Sequence, residues 1–181
     1  MLTALMMMAA QATAAAPAQA AASQTAAKPA APTAKAKALP ADVATYLQGT
    51  WNGTGAFASG KPLASTYEFE ALHGGEALLV RHAEKEPHKF AYQGLMSVDT
   101  HNGGLIMVFA ANREGGTRLF RSSGWEGDTM VFMPDPGLRS WFAFERMIFT
   151  RISPTQLKVK YEMSRDGVKW GGGDEQVFTK A

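Results

Sequence analysis

The chain has 181 residues, no cysteine and a formal net charge of +2. Lys28, Lys35 and Lys37 precede the first acidic residue, so the rest of the chain has 15 basic residues against 16 acidic ones. This balance argues against nucleic acid as the main partner, and the lack of cysteine excludes disulfides, cysteine metal sites and a thiol nucleophile.

The first twenty residues resemble the later part of a secretory signal peptide. A short apolar run at residues 2–10 is followed by small-residue cleavage patterns, Ala-Thr-Ala at 12–14 and Ala-Gln-Ala at 18–20. A run this short cannot span a bilayer, which needs about 20 apolar residues. We therefore predict a signal peptide at 1–20, a periplasmic or secreted protein, and no membrane span. An Ala-rich leader without a targeting role is the alternative.

Residues 21–39 are predicted to be a disordered linker, because Pro is scattered through them and Lys keeps them solvated. The aromatic residues, four Trp, four Tyr and ten Phe, all lie at Tyr46 or later. Large apolar side chains are needed to offset the entropy that a chain loses when it becomes ordered. The sequence therefore predicts one folded domain over residues 40–181, long enough to bury a sizeable core.

A short helix is predicted at the start of this domain, over residues 40–48. Pro40 suits the first position of a helix, and Val43 and Leu47 fall on one face. Gly49 suits the position just after the helix ends.

From Gly49 onward, apolar and polar residues alternate with a period of two, which is typical of β-strands. Tight-turn sequences such as Asn102-Gly103-Gly104 separate the segments, and these short connections favour antiparallel pairing of neighbouring strands. Ten strands are predicted, at residues 49–58, 63–72, 76–86, 90–99, 104–111, 117–125, 129–133, 141–152, 156–165 and 174–180.

We predict an all-β fold in which the ten strands close into an antiparallel up-and-down barrel, since closure removes exposed strand edges. An open sheet or a sandwich is the alternative. A ten-stranded barrel is wider than its own side chains readily fill, so an internal cavity is expected. The inward face is clearest in strand 156–165, where Leu157, Val159, Tyr161 and Met163 share one side.

The first predicted strand carries Gly49-Thr50-Trp51-Asn52-Gly53-Thr54-Gly55. This segment resembles the Gly-x-Trp-x-Gly-x-Gly signature of calycin-type barrels, which include lipocalins, fatty-acid-binding proteins and nitrobindin-like proteins. Tyr161-Glu162-Met163-Ser164-Arg165-Asp166-Gly167, Lys169-Trp170 and residues 173–178 are similar to a bacterial family of exported proteins with a lipocalin-like barrel. The resemblance covers most of residues 45–181. It implies a ten-stranded barrel around a small-molecule cavity and no particular reaction.

Nitrobindin-like proteins bind haem through a histidine near the C-terminus. The last histidine here is His101, so neither haem nor another cofactor is expected. His73 and His101 lie in predicted turns, His88 lies in a charged loop, and only His82 lies on a strand. Because metal ligands must converge in space, we predict no metal site.

Candidate ligand contacts in the predicted cavity are His82, Tyr92, Arg121, Trp125, Arg146, Tyr161 and Met163. An arginine inside a cavity can hold a carboxylate through two parallel hydrogen bonds, and both candidate arginines stand near aromatic residues. A salt bridge between Arg146 and an acid on a neighbouring strand is the alternative. For the aromatic candidates, the alternative is ordinary core packing. Trp51 is expected to plug the closed end of the barrel.

The sequence contains no Gly-x-Ser-x-Gly elbow, no His-Glu-x-x-His motif and no phosphate-binding loop, and no catalytic residue is assigned. The leading hypothesis is a non-enzymatic barrel that binds a small apolar or amphipathic molecule in its interior. One alternative is a calycin-type enzyme, an isomerase or hydrolase that uses Tyr, Arg and Glu groups inside the barrel. Another is a solid structural barrel without a ligand.

Overall fold

The structure is a computed structural model that describes residues 38–113, 116–137 and 142–181. Within these ranges it contains one helix and eleven strands. They are α1 (Ala41–Leu47), β1 (Gly49–Phe57), β2 (Pro62–Leu72), β3 (Ala77–Glu84), β4 (Ala91–Val98), β5 (Leu105–Ala111), β6 (Thr117–Ser122), β7 (Trp125–Glu126), β8 (Thr129–Pro134), β9 (Phe144–Ser153), β10 (Gln156–Ser164) and β11 (Gly171–Lys180). The predicted signal peptide, and all but the last two residues of the predicted linker, lie outside the described residues.

Ten of these strands form one closed antiparallel ring. Strands β1 to β6 pair in chain order, as do β8 to β11, and the ring is completed by the pairs β1–β11 and β6–β8. The two-residue strand β7 pairs with β8 and is not needed for closure. The predicted all-β barrel with a short N-terminal helix is therefore confirmed, and neither an open sheet nor a two-sheet sandwich is formed.

Three predicted strand boundaries differ from the structure by more than two residues. Residues 117–125 are divided into β6 and β7, because Gly124 takes a φ of 101° and donates its N–H to the Ser122 hydroxyl at 3.1 Å. The glycines at 171–173, predicted as a loop, begin β11, where Gly171 pairs with Met163 beyond an irregularity in β10. Strand β9 begins at Phe144, and the start predicted at residue 141 lies outside the described residues.

One end of the barrel is filled by side chains, and we call it the closed end. Trp51 is fully buried there, and its indole N–H donates to the Leu47 carbonyl at 2.7 Å. Val43 and Leu47 place the apolar face of α1 in the same core. The Tyr46 hydroxyl donates to the Gln156 carbonyl at 2.7 Å and so ties the helix to the β9–β10 turn. Trp51 therefore has the predicted position of a plug.

The opposite end, which we call the mouth end, is where the connections after β1, β3, β5, β8 and β10 meet. This follows from antiparallel order, since successive connections alternate between the two ends of a barrel. The connections after β2, β4 and β9 lie with α1 at the closed end.

Two glycines of β1 allow the first and last strands to approach closely. A Cβ at Gly53 would lie 2.3 Å from the Phe178 ring, and a Cβ at Gly55 would lie 1.9 Å from the Glu175 carbonyl oxygen. No side chain fits at either distance without moving β11. The glycines of the first-strand motif are thus required by the pairing that joins the two ends of the domain.

We expect Gly55→Ala to lower the free energy of unfolding by about 2–3 kcal/mol, because its methyl group must displace backbone atoms of β11 rather than a flexible side chain. Thr54→Ala, at the exposed neighbouring position, should cost less than about 1 kcal/mol. Urea unfolding monitored by circular dichroism measures both changes. Equal losses would show that the β1–β11 approach does not restrict this position.

Candidate functional site

A cavity of about 640 Å³ occupies the mouth end of the barrel. Its aromatic and apolar wall consists of Phe57, Tyr67, Phe90, Tyr92, Phe109, Phe120, Phe142, Met147, Val159, Tyr161 and Met163. The exposed side chains of Lys89, Asn112 and Arg113 lie at its rim. The cavity therefore opens to solvent at the mouth end, while the plug of Trp51 and α1 closes the other end.

Three neighbouring strands place Tyr67, His82 and Tyr92 side by side on the wall. Tyr67 is opposite His82 in the β2–β3 pair, and His82 is opposite Tyr92 in the β3–β4 pair. Residues opposite one another in a sheet point to the same face, so all three face the interior. The two tyrosine hydroxyls are hydrogen-bonded at 2.6 Å. Burial raises the pKa of both tyrosines, so both stay protonated at neutral pH.

The His82 ring packs between the two tyrosines, with centroid distances of 4.6 Å to Tyr67 and 5.0 Å to Tyr92. Its Nδ1 has no hydrogen-bond partner among the described residues. Burial lowers the pKa of the imidazole to about 4, so His82 is neutral at pH 7. A neutral imidazole has one donor and one acceptor nitrogen, and leaving them unused in a buried place costs free energy. His82 therefore brings unused hydrogen-bonding capacity to the wall.

A buried ion pair lies across the ring from β3. The Arg118 guanidinium of β6 and the Tyr161 hydroxyl of β10 both donate to the Glu145 carboxylate of β9. Arg118 and Glu145 are almost fully buried, and buried charges are stable when they are paired and hydrogen-bonded. Burial raises the pKa of Tyr161 to about 12, which keeps its hydroxyl a donor at neutral pH. The charges of Arg118 and Glu145 thus compensate each other.

Glu84 of β3 and Asp174 of β11 bring two further carboxyl groups to the cavity wall. Burial is the main cause that raises the pKa of Asp174 to about 6; a hydrogen bond from Gln176 opposes this shift, and the charge of Glu84 adds to it. Burial also raises the pKa of Glu84, although the Phe90 N–H donates to its carboxylate at 3.4 Å. Among the described residues, no cation lies within salt-bridge distance of either carboxyl group.

The structure brings four of the seven predicted contacts to the cavity: His82, Tyr92, Tyr161 and Met163. The alternation in β10 places Val159, Tyr161 and Met163 on the inside as predicted. In β3 the inner face is the one with Leu78, Val80 and His82.

Arg146 lies on the outside of the barrel, because the buried residues of β9 are Glu145, Met147 and Phe149. Its guanidinium is 2.6 Å from the Glu162 carboxylate of β10 and lies 4.1 Å from the centre of a Trp170 ring. The salt bridge to an acid on a neighbouring strand, given above as the alternative, is thus present, but neither of its residues lines the cavity. This corrects the placement of Arg146 in the predicted cavity.

Arg121 and Trp125 also lie away from the cavity. Arg121 follows the buried Phe120 and so faces outward, where it pairs with Asp99 and Asp135. Trp125 lies in β7, where the Arg151 guanidinium stacks 3.9 Å from its ring centre. The predicted placement of both residues in the cavity is thus corrected: Arg121 faces outward, and Trp125 packs against the core beside Tyr46 at the closed end.

Four charged residues of the wall were missed from the sequence: Glu84, Arg118, Glu145 and Asp174. For two of these residues, a usable signal was the large apolar residue two places away. Arg118 is two residues from Phe120, and Glu145 is two residues from Met147. In a strand such residues share a face.

No group of three or more His, Asp or Glu side chains in the described ranges could hold a metal ion. In the same part of the chain, no helix is long and apolar enough to cross a membrane.

Fold and site together define a closed ten-stranded antiparallel β-barrel with an interior cavity open at one end. No protein-family model matches the sequence, and no curated protein sequence matches it. Among solved structures, Rv2717c from M. tuberculosis is similar, with a TM-score of 0.50 and 16% identity over 80% of this chain and 99% of that one. A redesigned β-barrel, b11L5F_LGL, has a TM-score of 0.43 and 16% identity over 76% of this chain and 94% of that one. At these identities the likeness to Rv2717c shows the barrel fold alone.

The low pKa of His82 gives the stability of the protein a pH dependence with a definite sign. Between about pH 6.5 and 4 the unfolded chain binds a proton that the folded protein does not, so this contribution to stability falls as the pH falls. Asp174 acts in the opposite direction, because between about pH 6 and 3.8 the folded protein holds a proton that the unfolded chain has lost.

We therefore expect the wild type to lose on the order of 2 kcal/mol more unfolding free energy than His82→Phe between about pH 7 and 4.5. The comparison removes the effect of Asp174, which is present in both proteins. Urea titrations at the two pH values measure the difference. His101→Phe, in an exposed turn, is the control and should follow the wild type. A wild-type loss no larger than that of His82→Phe would contradict the assignment.

Proposed function

We propose that this barrel binds a small amphipathic molecule in the cavity at its mouth end. The observation that carries the proposal is a cavity of about 640 Å³ whose wall is mostly aromatic and which also contains a few inward-facing polar groups. Small-molecule sites commonly have volumes of about 300–1,000 Å³ and this mixture of apolar walls and few polar groups.

The aromatic residues favour a ligand with a flat apolar body. The Tyr92 ring stacks on Phe109 with centroids 4.2 Å apart, and Phe109 stacks on Phe120 at 5.7 Å. This row of rings runs over β4, β5 and β6, and it offers one continuous apolar surface to a planar molecule. A solid structural barrel is disfavoured, because large side chains fill the closed end but leave the mouth end hollow.

Binding is favoured over catalysis by the state of the polar groups. Tyr161 donates to Glu145, and its raised pKa keeps it from acting as a base near neutral pH. Arg118 is engaged with the same carboxylate. Tyr161, Arg118 and Glu145, a set of Tyr, Arg and Glu groups of the kind an isomerase or hydrolase would use, are therefore engaged with one another.

The proposal includes export and membership of the lipocalin-like class. An exported barrel with one closed end suits a carrier, because the ligand enters and leaves through the mouth. The signal-like residues 1–20 and the Gly-x-Trp-x-Gly-x-Gly segment in β1 support this part of the proposal.

Binding of the neutral fluorescent dye N-phenylnaphthylamine tests the proposal. We expect the wild type to bind it and Val159→Trp to bind it at least about tenfold more weakly, because the larger ring fills the cavity. Val177→Trp is the matched control, since Val177 faces outward on β11 next to the cavity-lining Gln176. It should bind like the wild type. Calorimetry and dye fluorescence measure the affinities.

Circular dichroism first establishes that each variant is folded. If Val159→Trp does not fold, Met163→Trp gives the same test from the opposite side of Tyr161 on the same strand. Absence of dye binding by the wild type, or equal binding by the wild type and a folded cavity-filling variant, would overturn the proposal.

A further inference from the structure

We propose that the ligand of this cavity is an amphipathic organic cation, with its positive group next to Asp174 and Glu84 and its apolar body against the row of aromatic rings. The inference rests on the proposed function and adds to it the chemical class of the ligand. It is carried by the distribution of charge over the cavity wall.

The charges that remain inside the cavity after pairing are negative. Arg118 and Glu145 compensate each other in a buried ion pair. Glu84 and Asp174 line the cavity without an ion pair to any described cation. The positive side chains of Lys89 and Arg113 lie at the rim and are exposed, so solvent screens both charges from Asp174 and Glu84. Lys89 is also 3.8 Å from Glu86.

Aromatic residues flank Asp174 on both sides. It is opposite Phe57 of β1 in one strand pair and opposite Tyr161 of β10 in the other. All three residues line the cavity. An organic cation is attracted both by a carboxylate and by the faces of aromatic rings. A carboxylate between two aromatic residues on a cavity wall is therefore suited to an ammonium group.

The neighbours of these two carboxyl groups supply no buried countercharge. Near Asp174 the titratable groups are the protonated hydroxyls of Tyr67, Tyr92 and Tyr161 together with Glu84. Near Glu84 lies His88, whose ring packs 4.9 Å from Phe57. A partly buried carboxylate without a countercharge resists ionisation, and a cationic ligand would remove that cost.

His82 gives an independent indication that the wall is completed by a ligand. It is buried on the wall, neutral, and its Nδ1 has no partner among the described residues. A native buried polar group normally has a hydrogen-bond partner. A ligand with a second, uncharged polar group could use the remaining capacity of this imidazole. An anionic ligand would instead place its charge against two carboxyl groups.

Three aromatic probes of the same size but different charge test the inference: naphthylmethylammonium, naphthylmethanol and naphthoate, titrated by calorimetry at about pH 7.5. We expect the ammonium compound to bind at least about tenfold more tightly than the alcohol, and the naphthoate to bind most weakly. A preference for the naphthoate, or equal affinity for the ammonium compound and the alcohol, would overturn the inference. If the alcohol still bound tightly, the inference about charge would be wrong, but the proposed binding function would not be contradicted.

Variants that remove one negative charge show which residue causes the preference for the ammonium compound. Asp174→Asn should weaken the ammonium compound about tenfold and change the alcohol less than about twofold, because the amide keeps the shape of the carboxyl group. Glu175→Gln removes the same charge from the exposed neighbouring position and should change neither affinity. If Asp174→Asn does not fold, Glu84→Gln serves in its place. Equal weakening of both probes, or the same effect in Glu175→Gln, would overturn the inference. Failure of all three probes together with the neutral dye would overturn the proposed function as well.

Discussion

The closure of ten strands into one ring is the constraint on which the rest of the molecule depends. The seam between β1 and β11 requires glycine at positions 53 and 55, where the opposite strand leaves no room for a Cβ. Once the ring is closed, its circumference exceeds what inward side chains fill along its whole length. At the closed end the excess space is taken up by Trp51 and by α1, whose Val43 and Leu47 are fully buried. At the mouth end nothing equivalent is present among the described residues, and the remaining space is the cavity.

The polar groups inside the barrel tolerate burial in different ways. Tyr67 and Tyr92 share a hydrogen bond between their hydroxyls, and neither needs to ionise. Arg118 and Glu145 are both charged and compensate each other. Asp174 accepts a hydrogen bond from Gln176 but has no cationic partner among the described residues, and Nδ1 of His82 has no hydrogen-bond partner there. Burial shifts the pKa values of both groups toward their neutral forms. The pair of tyrosine hydroxyls and the Arg118–Glu145 ion pair are complete without a ligand. His82 and Asp174 keep unused capacity for a hydrogen bond or a countercharge, so a ligand gains most binding free energy at this part of the wall.

Sequence alternation was sufficient to predict the ring and the inward face of β10, because a period of two is a direct consequence of strand geometry. The short helix was predicted from a different signal, the Pro40 and Gly49 boundaries around Val43 and Leu47. Alternation did not locate the arginines. Arg121 and Arg146 stand beside large aromatic residues in the sequence, and this proximity suggested the cavity. In a strand, however, adjacent residues point to opposite faces, so Arg121, next to the buried Phe120, faces outward. Arg146 shares a face with Phe144, and Phe144 is itself exposed on the outside of the barrel. Arg118, two residues from Phe120, is the arginine that the same rule places inside.

The pairing of charges inside the barrel depended on tertiary contacts that no local pattern encodes. Glu145 and Arg118 are 27 residues apart, and β6 and β9 are separated in the ring by β8. Asp174 meets Phe57 only because β11 pairs with β1. Two carboxyl groups of one cavity therefore differ in kind: Glu145 has a permanent cationic partner, whereas Asp174 titrates near pH 6. A carboxyl group with a pKa of about 6 gains or loses its proton at little cost in free energy near that pH. Binding of a cation beside Asp174 must therefore be coupled to the release of a proton when the pH is near or below the pKa of Asp174. The closure of the ring thus sets both the shape of the cavity and the charge that its open wall can present.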